Sequence, residues 1–175
     1  MDGTLEARVQ ELWDRKGIEE AMLRYTRGLD RLELELYRSS FSRDGLDNHG
    51  PAKSPEEFLE GWMPQQAARE LTEHHISNFE IEIDGDTAHA ESYYLVAVKG
   101  MDEDVVNLFG GRYADRFVRE DGTWRIAVRV VIPSWHAQAP TAAGSAIMSR
   151  SNWGRRSLED PTYERPLQPK YDMGV

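Results

Sequence analysis

Residues 79–98 read FEIEIDGDTAHAESYYLVAV. Phe79, Ile81 and Ile83 alternate with acidic residues, which gives an extended chain one apolar face. Asp84-Gly85-Asp86 then turns the chain, and Ala88, Ala90, Tyr94, Val96 and Val98 alternate on the way back. The same pattern continues downstream. Asn107 to Val118 predicts a third long strand, and Glu120-Asp121-Gly122 a second tight turn. Trp124, Ile126, Val128, Val130 and Ile132 predict a fourth strand. Four long strands joined by short turns make an antiparallel meander.

Upstream the period changes. Leu5, Val9 and Leu12 recur at helical spacing, and Ile18, Met22, Tyr25 and Leu29 do the same. Gly17 either divides this region into two helices or sits inside one. Leu32 to Ser39 predicts a further short helix, and the polar run Phe41 to Gly50 a turn-rich segment with room for a short strand. Ser54-Pro55-Glu56-Glu57 is a helix start: Ser54 caps, Pro55 suits the first helical position, and Glu57 reaches back as a capping box. Phe58 and Trp62 share a face of that helix, and Pro64 ends or restarts it. Helices first and strands after, with no βαβ alternation, predict an α+β fold. The expected domain covers residues 1–137. Residues 138–175 form an extension in which Trp153, Tyr163 and Tyr171 predict packing on the domain or on a neighbouring subunit.

Composition narrows the function. The 175 residues carry 21 Lys and Arg against 31 Asp and Glu, a formal charge of −10. So acidic a surface argues against nucleic acid and anionic membranes as partners, since both are polyanions. The chain has no cysteine, which removes disulfides, thiolate nucleophiles and Cys-type metal sites. No apolar run approaches the roughly 20 residues of a membrane span, and the polar, acidic N-terminus is no signal peptide, so the cytoplasm is the expected location. No metal site is expected, because His74-His75 lacks the i, i+4 spacing of helical ligands and no H-E-x-x-H set occurs. No glycine-rich phosphate loop or G-x-S-x-G elbow is present either, and no cofactor is expected.

Several strings, in order, resemble the SnoaL-like branch of the nuclear-transport-factor-2-like superfamily. They are Arg24-Tyr25-x-Arg27-Gly28-Leu29-Asp30, His74-His75-Ile76-Ser77-Asn78, Asp84-Gly85-Asp86-Thr87-Ala88, Gly111-Arg112-Tyr113-x-Asp115 and Asp121-Gly122-x-Trp124-Arg125-Ile126. The resemblance covers roughly residues 5–137 and implies a cone-shaped α+β barrel, a strongly curved antiparallel sheet with helices closing the wall around a pocket. The superfamily includes scytalone dehydratase, hexachlorocyclohexane dehydrochlorinase, bile acid 7α-dehydratase, isomerases, polyketide cyclases and the non-catalytic small subunits of ring-hydroxylating dioxygenases. The fold alone therefore leaves function open.

The resemblance implies a His–Asp dyad. Asp30, otherwise an ordinary polar residue at a helix end, matches the carboxylate of the dehydratase and dehydrochlorinase branch. Adjacent strand residues face opposite ways, so only one of His74 and His75 looks inward. Simple alternation groups His75 with Phe79, Ile81 and Ile83, and His74 with Ile76 and Asn78. The family pattern places the base four residues before the Asn, at His74, and a bulge would reconcile the two readings. His75 stays as a substrate-contacting alternative. Tyr25 is either a core position after Met22 or a hydroxyl donor to substrate. Five helical steps place it about 140° from Asp30 on a straight helix. Arg129 either stabilises charge on an enolate or leaving oxygen or is surface charge. Trp62, Tyr94 and Phe109 are candidate pocket walls or plain core. Asp47-Asn48-His49-Gly50 reads as a turn or a pocket edge, and Arg112 and Asp115 as braces between strands.

A histidine held by a carboxylate can remove a carbon-bound proton without a nucleophile. The expected activity is a cofactor-independent lyase of dehydratase type, acting on a hydrophobic, cyclic small molecule. An isomerase or cyclase begins with the same step, and a non-catalytic assembly subunit is the reading from another class. Apolar residues on both faces of the strands predict self-association, and the resemblance to an enzyme branch that is often trimeric implies a trimer, with a dimer as the alternative.

Overall fold

The computed structural model describes residues 4–101, 103–141 and 154–168. It opens on one long helix, α1 (Leu5–Arg31), with Gly17 inside it. The short α2 (Leu34–Ser39) follows, then β1 (Phe41–Asn48) and β2 (Ala52–Lys53). Helix α3 (Pro55–Ala67) starts on the expected capping box: Ser54 Oγ accepts from Glu57 N, and Glu57 reaches back to Ser54 N. It carries Pro64 in its interior. Four long strands complete the sheet: β3 (Arg69–Asp84), β4 (Thr87–Gly100), β5 (Val105–Glu120) and β6 (Thr123–Pro140).

The sheet runs in the order β2-β1-β6-β5-β4-β3. The last four strands are the antiparallel meander, but β1 lies parallel to β6, so the sheet is mixed. It is curved and its ends, β2 and β3, do not pair, so it does not close into a barrel. The α+β class and the cone of helices on a curved sheet stand as expected.

The concave face forms the core. Ile18, Ala21, Met22, Tyr25 and Leu29 of α1 pack on Ile81, Ala88, Ala90, Tyr113, Phe117, Trp124 and Ile126 of the strands. Asp14 anchors α1 by accepting from Trp124 Nε1 at 3.0 Å and Arg119 Nη1 at 2.6 Å. The first two turns of α1 overhang the sheet, so Leu5 and Leu12 are exposed despite their helical spacing. Gly28 sits where α1 meets α2: a Cβ there would lie 2.5 Å from the Tyr37 backbone nitrogen. That close approach packs the C-terminal turn of α1, which carries Asp30, against α2.

Two bulges set which side chains face inward. In β3, Ser77 pairs with Tyr93 and Glu80 with Glu91, which leaves Asn78 and Phe79 out of register. Asn78 takes the left-handed conformation, φ 56°. His74 and Ile76 thus share the concave face with Ile81 and Ile83. In β6, Phe117 pairs with Ile126 and Arg116 with Val128, so Ala127 is extra. Trp124, Ile126 and Arg129 then all face inward, which corrects the alternation that sets Arg129 opposite Trp124 and Ile126.

Residues 154–168 lie against the end of α1 and the start of β3. Arg156 donates to the carbonyls of Leu29, Asp30, Gln66 and Arg69. Asp160 pairs with Arg31 at 3.0 Å, and Tyr163 donates to Glu33. Trp153 and Tyr171 lie outside the described residues.

Candidate active site

His74 comes from β3 and Asp30 from the last turn of α1. His74 Nδ1 lies 2.6 Å from Asp30 Oδ1, and the His74 backbone N–H donates to Asp30 Oδ2 at 3.0 Å. The carboxylate therefore grips the histidine at ring and backbone at once. Because a carboxylate accepts, the pairing places a proton on Nδ1 and turns Nε2 away from Asp30. Among the described residues Nε2 has no hydrogen-bond partner. The His74 side chain is 6% exposed and that of Asp30 18%.

The five-residue spacing of Tyr25 and Asp30 sends their side chains to different walls. Asp30 meets β3, whereas Tyr25 Oη lies 3.3 Å from His49 Nε2, just past the end of β1. The Tyr25 ring still meets the His74 ring edge-on, with centroids 6.5 Å apart. Burial, and next the Asp47 carboxylate, push the Tyr25 pKa well above the usual phenol range.

Arg129 faces inward and is fully buried, but it is not a free cation. Its Nε and Nη2 donate to the two oxygens of Asp115 at 2.8 and 2.6 Å. Its guanidinium lies 4.1 Å from the ring centroids of both Tyr25 and Tyr113. Burial would lower its pKa, yet the Asp115 carboxylate outweighs this and the net shift is upward. Arg129 thus supports Tyr25 from behind.

His75 points the other way. It pairs with Leu95 on the convex face and is exposed, so it is corrected from a substrate contact to a surface residue. Tyr94 faces inward, buried and stacked on Tyr113 at 4.6 Å. Phe109, opposite Val96 in the ladder, lies on the same concave face nearer its open end and stacks on His136. Trp62 projects from α3 toward His49, at 5.4 Å between ring centroids, and carries Arg69 over its own face.

The sequence reading undervalued one group. Asp47 is fully buried and accepts from Tyr37 Oη at 2.8 Å, while His49 Nδ1 lies 2.7 Å from its other oxygen. A second His–Asp pair therefore stands at the hydroxyl of Tyr25, whose ring meets the first. The string Asp47-Asn48-His49-Gly50 offered the only signal, as a possible pocket edge. Asp115, read as a brace between strands, is the buried counter-ion of Arg129.

Among the described residues, no group of three or more His, Asp and Glu side chains could hold a metal ion. No described helix is long and apolar enough to cross a membrane. A groove of about 770 Å³ between α1 and the β3–β4 turn, lined by Asp14, Arg15, Ile83 and Arg119, lies apart from both His–Asp pairs.

A curved mixed sheet whose concave face holds such a pair against one long helix defines a cone-type α+β domain. The chain belongs to the SnoaL-like domain family, whose model matches residues 10–130. Among solved structures it is similar to a proposed scytalone dehydratase from Novosphingobium aromaticivorans, at 21% identity and TM-score 0.66 over 77% of this chain and 96% of that one. It is also similar to hexachlorocyclohexane dehydrochlorinase LinA-type3 from Novosphingobium barchaimii, at 17% identity and TM-score 0.64 over 78% and 96%. A third is the β subunit of a proposed aromatic-ring-hydroxylating dioxygenase from N. aromaticivorans, at 23% identity and TM-score 0.58 over 71% and 92%. Identities this low establish the shared fold and no more. No curated protein sequence matches.

Proposed function

We propose that this protein is a cofactor-independent lyase that removes a carbon-bound proton and a small leaving group from a hydrophobic cyclic substrate. The observation that carries this reading is the two-point grip of Asp30 on His74, at 2.6 Å to the ring and 3.0 Å to the backbone. It fixes the tautomer and leaves the Nε2 lone pair as the base. Asp30 stabilises the imidazolium once the proton has moved. Tyr25 Oη polarises the oxygen that gains charge. Tyr94, Val96 and Phe109 give the concave wall an apolar and aromatic character suited to a ring system. Isomerisation or cyclisation would share the first proton transfer and differ in where the proton or bond is returned.

The test is solvent-deuterium exchange and product analysis with hydroxylated and ketonic cyclic compounds. His74→Ala and Asp30→Asn should lose exchange, and His75→Ala should keep it. Exchange that survives in His74→Ala would remove the reading. The similarity to a dioxygenase β subunit supports a non-catalytic assembly role instead, for which wild type and all three variants would be equally inert.

A further inference from the structure

We propose that Asp47, His49 and Tyr25 form a proton-delivering chain facing His74, and that the group this site expels is therefore a hydroxyl. The inference rests on the lyase reading above and names its leaving group.

The geometry is continuous. Asp47 is fully buried, and its two oxygens are taken by Tyr37 Oη and His49 Nδ1. Asp47 lies beside Arg129 in the parallel register of β1 and β6. Arg129 gives Nε and Nη2 to Asp115 and its Nη1 meets no acceptor among the described residues, so His49 is the basic group hydrogen-bonded to Asp47. An acceptor stands at each ring nitrogen of His49, Asp47 Oδ1 at Nδ1 and Tyr25 Oη at Nε2, so a proton on each nitrogen satisfies both contacts. Phe58 and Trp62 pack around the His49 ring, with centroids 4.8 and 5.4 Å away, and hold Nε2 at 3.3 Å from Tyr25 Oη. Tyr25 in turn meets both histidines, with its hydroxyl at His49 and its ring edge-on to His74.

The chemistry needs such a chain. A halide leaves with its electron pair and requires no proton, whereas a hydroxyl leaves well only as water. Tyr25 alone would be left as a buried tyrosinate after giving up its proton. Burial raises its pKa, so that state is costly. His49 removes the cost by restocking Tyr25 in the same step. In balance, His74 Nε2 takes the carbon-bound proton and the C–H pair becomes the new double bond. The C–O bond breaks with its pair on oxygen. That oxygen takes the Tyr25 proton, and Tyr25 takes the Nε2 proton of His49. Water and an unsaturated product leave. His74 holds one proton more and His49 one fewer, and exchange with solvent resets both.

The test uses 3-aryloxycyclohexanones whose leaving phenols run from 4-nitrophenol to unsubstituted phenol. In His49→Gln, and in His49→Phe, which keeps an aromatic ring between Phe58 and Trp62, phenol release should fall on the order of 10²-fold. Release of 4-nitrophenol should change by less than about 5-fold, because a good leaving group needs little acid. Tyr25→Phe should lose phenol release more than 4-nitrophenol release, while His74→Gln should lose both. An equal loss across the series in the His49 variants would overturn the chain and leave the dyad standing. Release retained by His74→Gln would instead defeat the lyase reading. A measurement free of turnover accompanies this: ¹⁵N-histidine NMR of the wild-type protein. The chain requires protons on both ring nitrogens of His49, with the Nε2 proton signal moved by Tyr25→Phe and the Nδ1 signal by Asp47→Asn. A His49 ring that carries a single proton, indifferent to Tyr25→Phe, would overturn the inference.

Discussion

Asp30 holds His74 with both of its oxygens, so it fixes where the strand sits as well as which ring nitrogen is free. Asp30→Asn keeps an acceptor for the backbone N–H but weakens the ring's anchor. Proton abstraction should fall by about 10²-fold or more, read as deuterium exchange, with a much smaller change in urea midpoint. The reverse pattern belongs to Arg129 and Asp115, both wholly buried. Arg129→Met leaves Asp115 as an uncompensated interior charge and should cost about 3–5 kcal/mol in urea unfolding. Asp115→Leu added to it should recover much of that loss, since an apolar pair of similar volume is often neutral. A double variant no more stable than Arg129→Met would contradict the ion-pair account. At this scale Asp30 and His74 were legible because each sits in a short recognisable string. Asp47 and His49 were not, because their meaning depends on β1 lying parallel to β6, a long-range pairing that no local pattern encodes. Arg129 was legible as a candidate but not as a committed partner, since Asp115 reads as an ordinary strand charge.

Two irregularities among the elements decide the site more than the regular strands do. The sequence set two histidines against each other: the alternation of Phe79, Ile81 and Ile83 selects His75, and the family string selects His74. The bulge at Asn78 and Phe79 resolves the conflict by shifting the register between the two halves of β3. Asn tolerates the left-handed backbone it adopts there, with φ 56°. Asn78→Gly should therefore be nearly neutral, and Asn78→Val should destabilise by roughly 1–2 kcal/mol in thermal or urea unfolding. If the two variants unfold alike, the bulge is not under backbone strain. The segment from Gly154 to Gln168 makes a second testable element. Hydrogen bonds from Thr162 and from the Arg155 and Thr162 backbones, with the Arg31 charge, outweigh burial and hold the Asp160 pKa down at about 2. A depressed carboxyl contributes stability above its ordinary value of 3.8 and loses it as pH falls toward the folded value of about 2. Proteolytic cleavage between residues 154 and 168 should thus rise across that window in wild type. Asp160→Asn should already show the raised rate at pH 7. Periodicity could not reveal this attachment, because Arg156 is bound through carbonyls of three different elements.

For the whole molecule, the unbalanced surface lies on the convex side of the sheet. Burial on the concave side uses Tyr94, Val96 and Tyr113, so their strand neighbours point outward. In the ladder, His75 pairs with Leu95, Leu95 with Gly110, and Gly110 with Trp135. Trp135 lies over Gly110, where a Cβ would come within 2.1 Å of its ring. Tyr93 and Trp135 are each 50% exposed, Leu95 39% and Val130 38%. Tyr93 and Leu95 stand on β4 and Val130 and Trp135 on β6, and Trp135 lies over Gly110 of the intervening β5, so Leu95 and Trp135 meet across that strand as the centre of an apolar patch. A patch of that kind on a folded chain calls for a covering surface. The chain's −10 charge disfavours a polyanionic partner and would hold copies apart at long range, so the apolar contact has to supply the association. We expect copies of the chain to cover this face, three to an assembly, with two as the alternative. Sedimentation equilibrium at micromolar concentration should give about three times the 20.1 kDa of the chain. Leu95→Lys with Trp135→Glu should yield a monomer with the same far-ultraviolet circular dichroism, since neither side chain belongs to the core. A wild type that sediments as a monomer would leave the convex face open to solvent and remove this account of its composition.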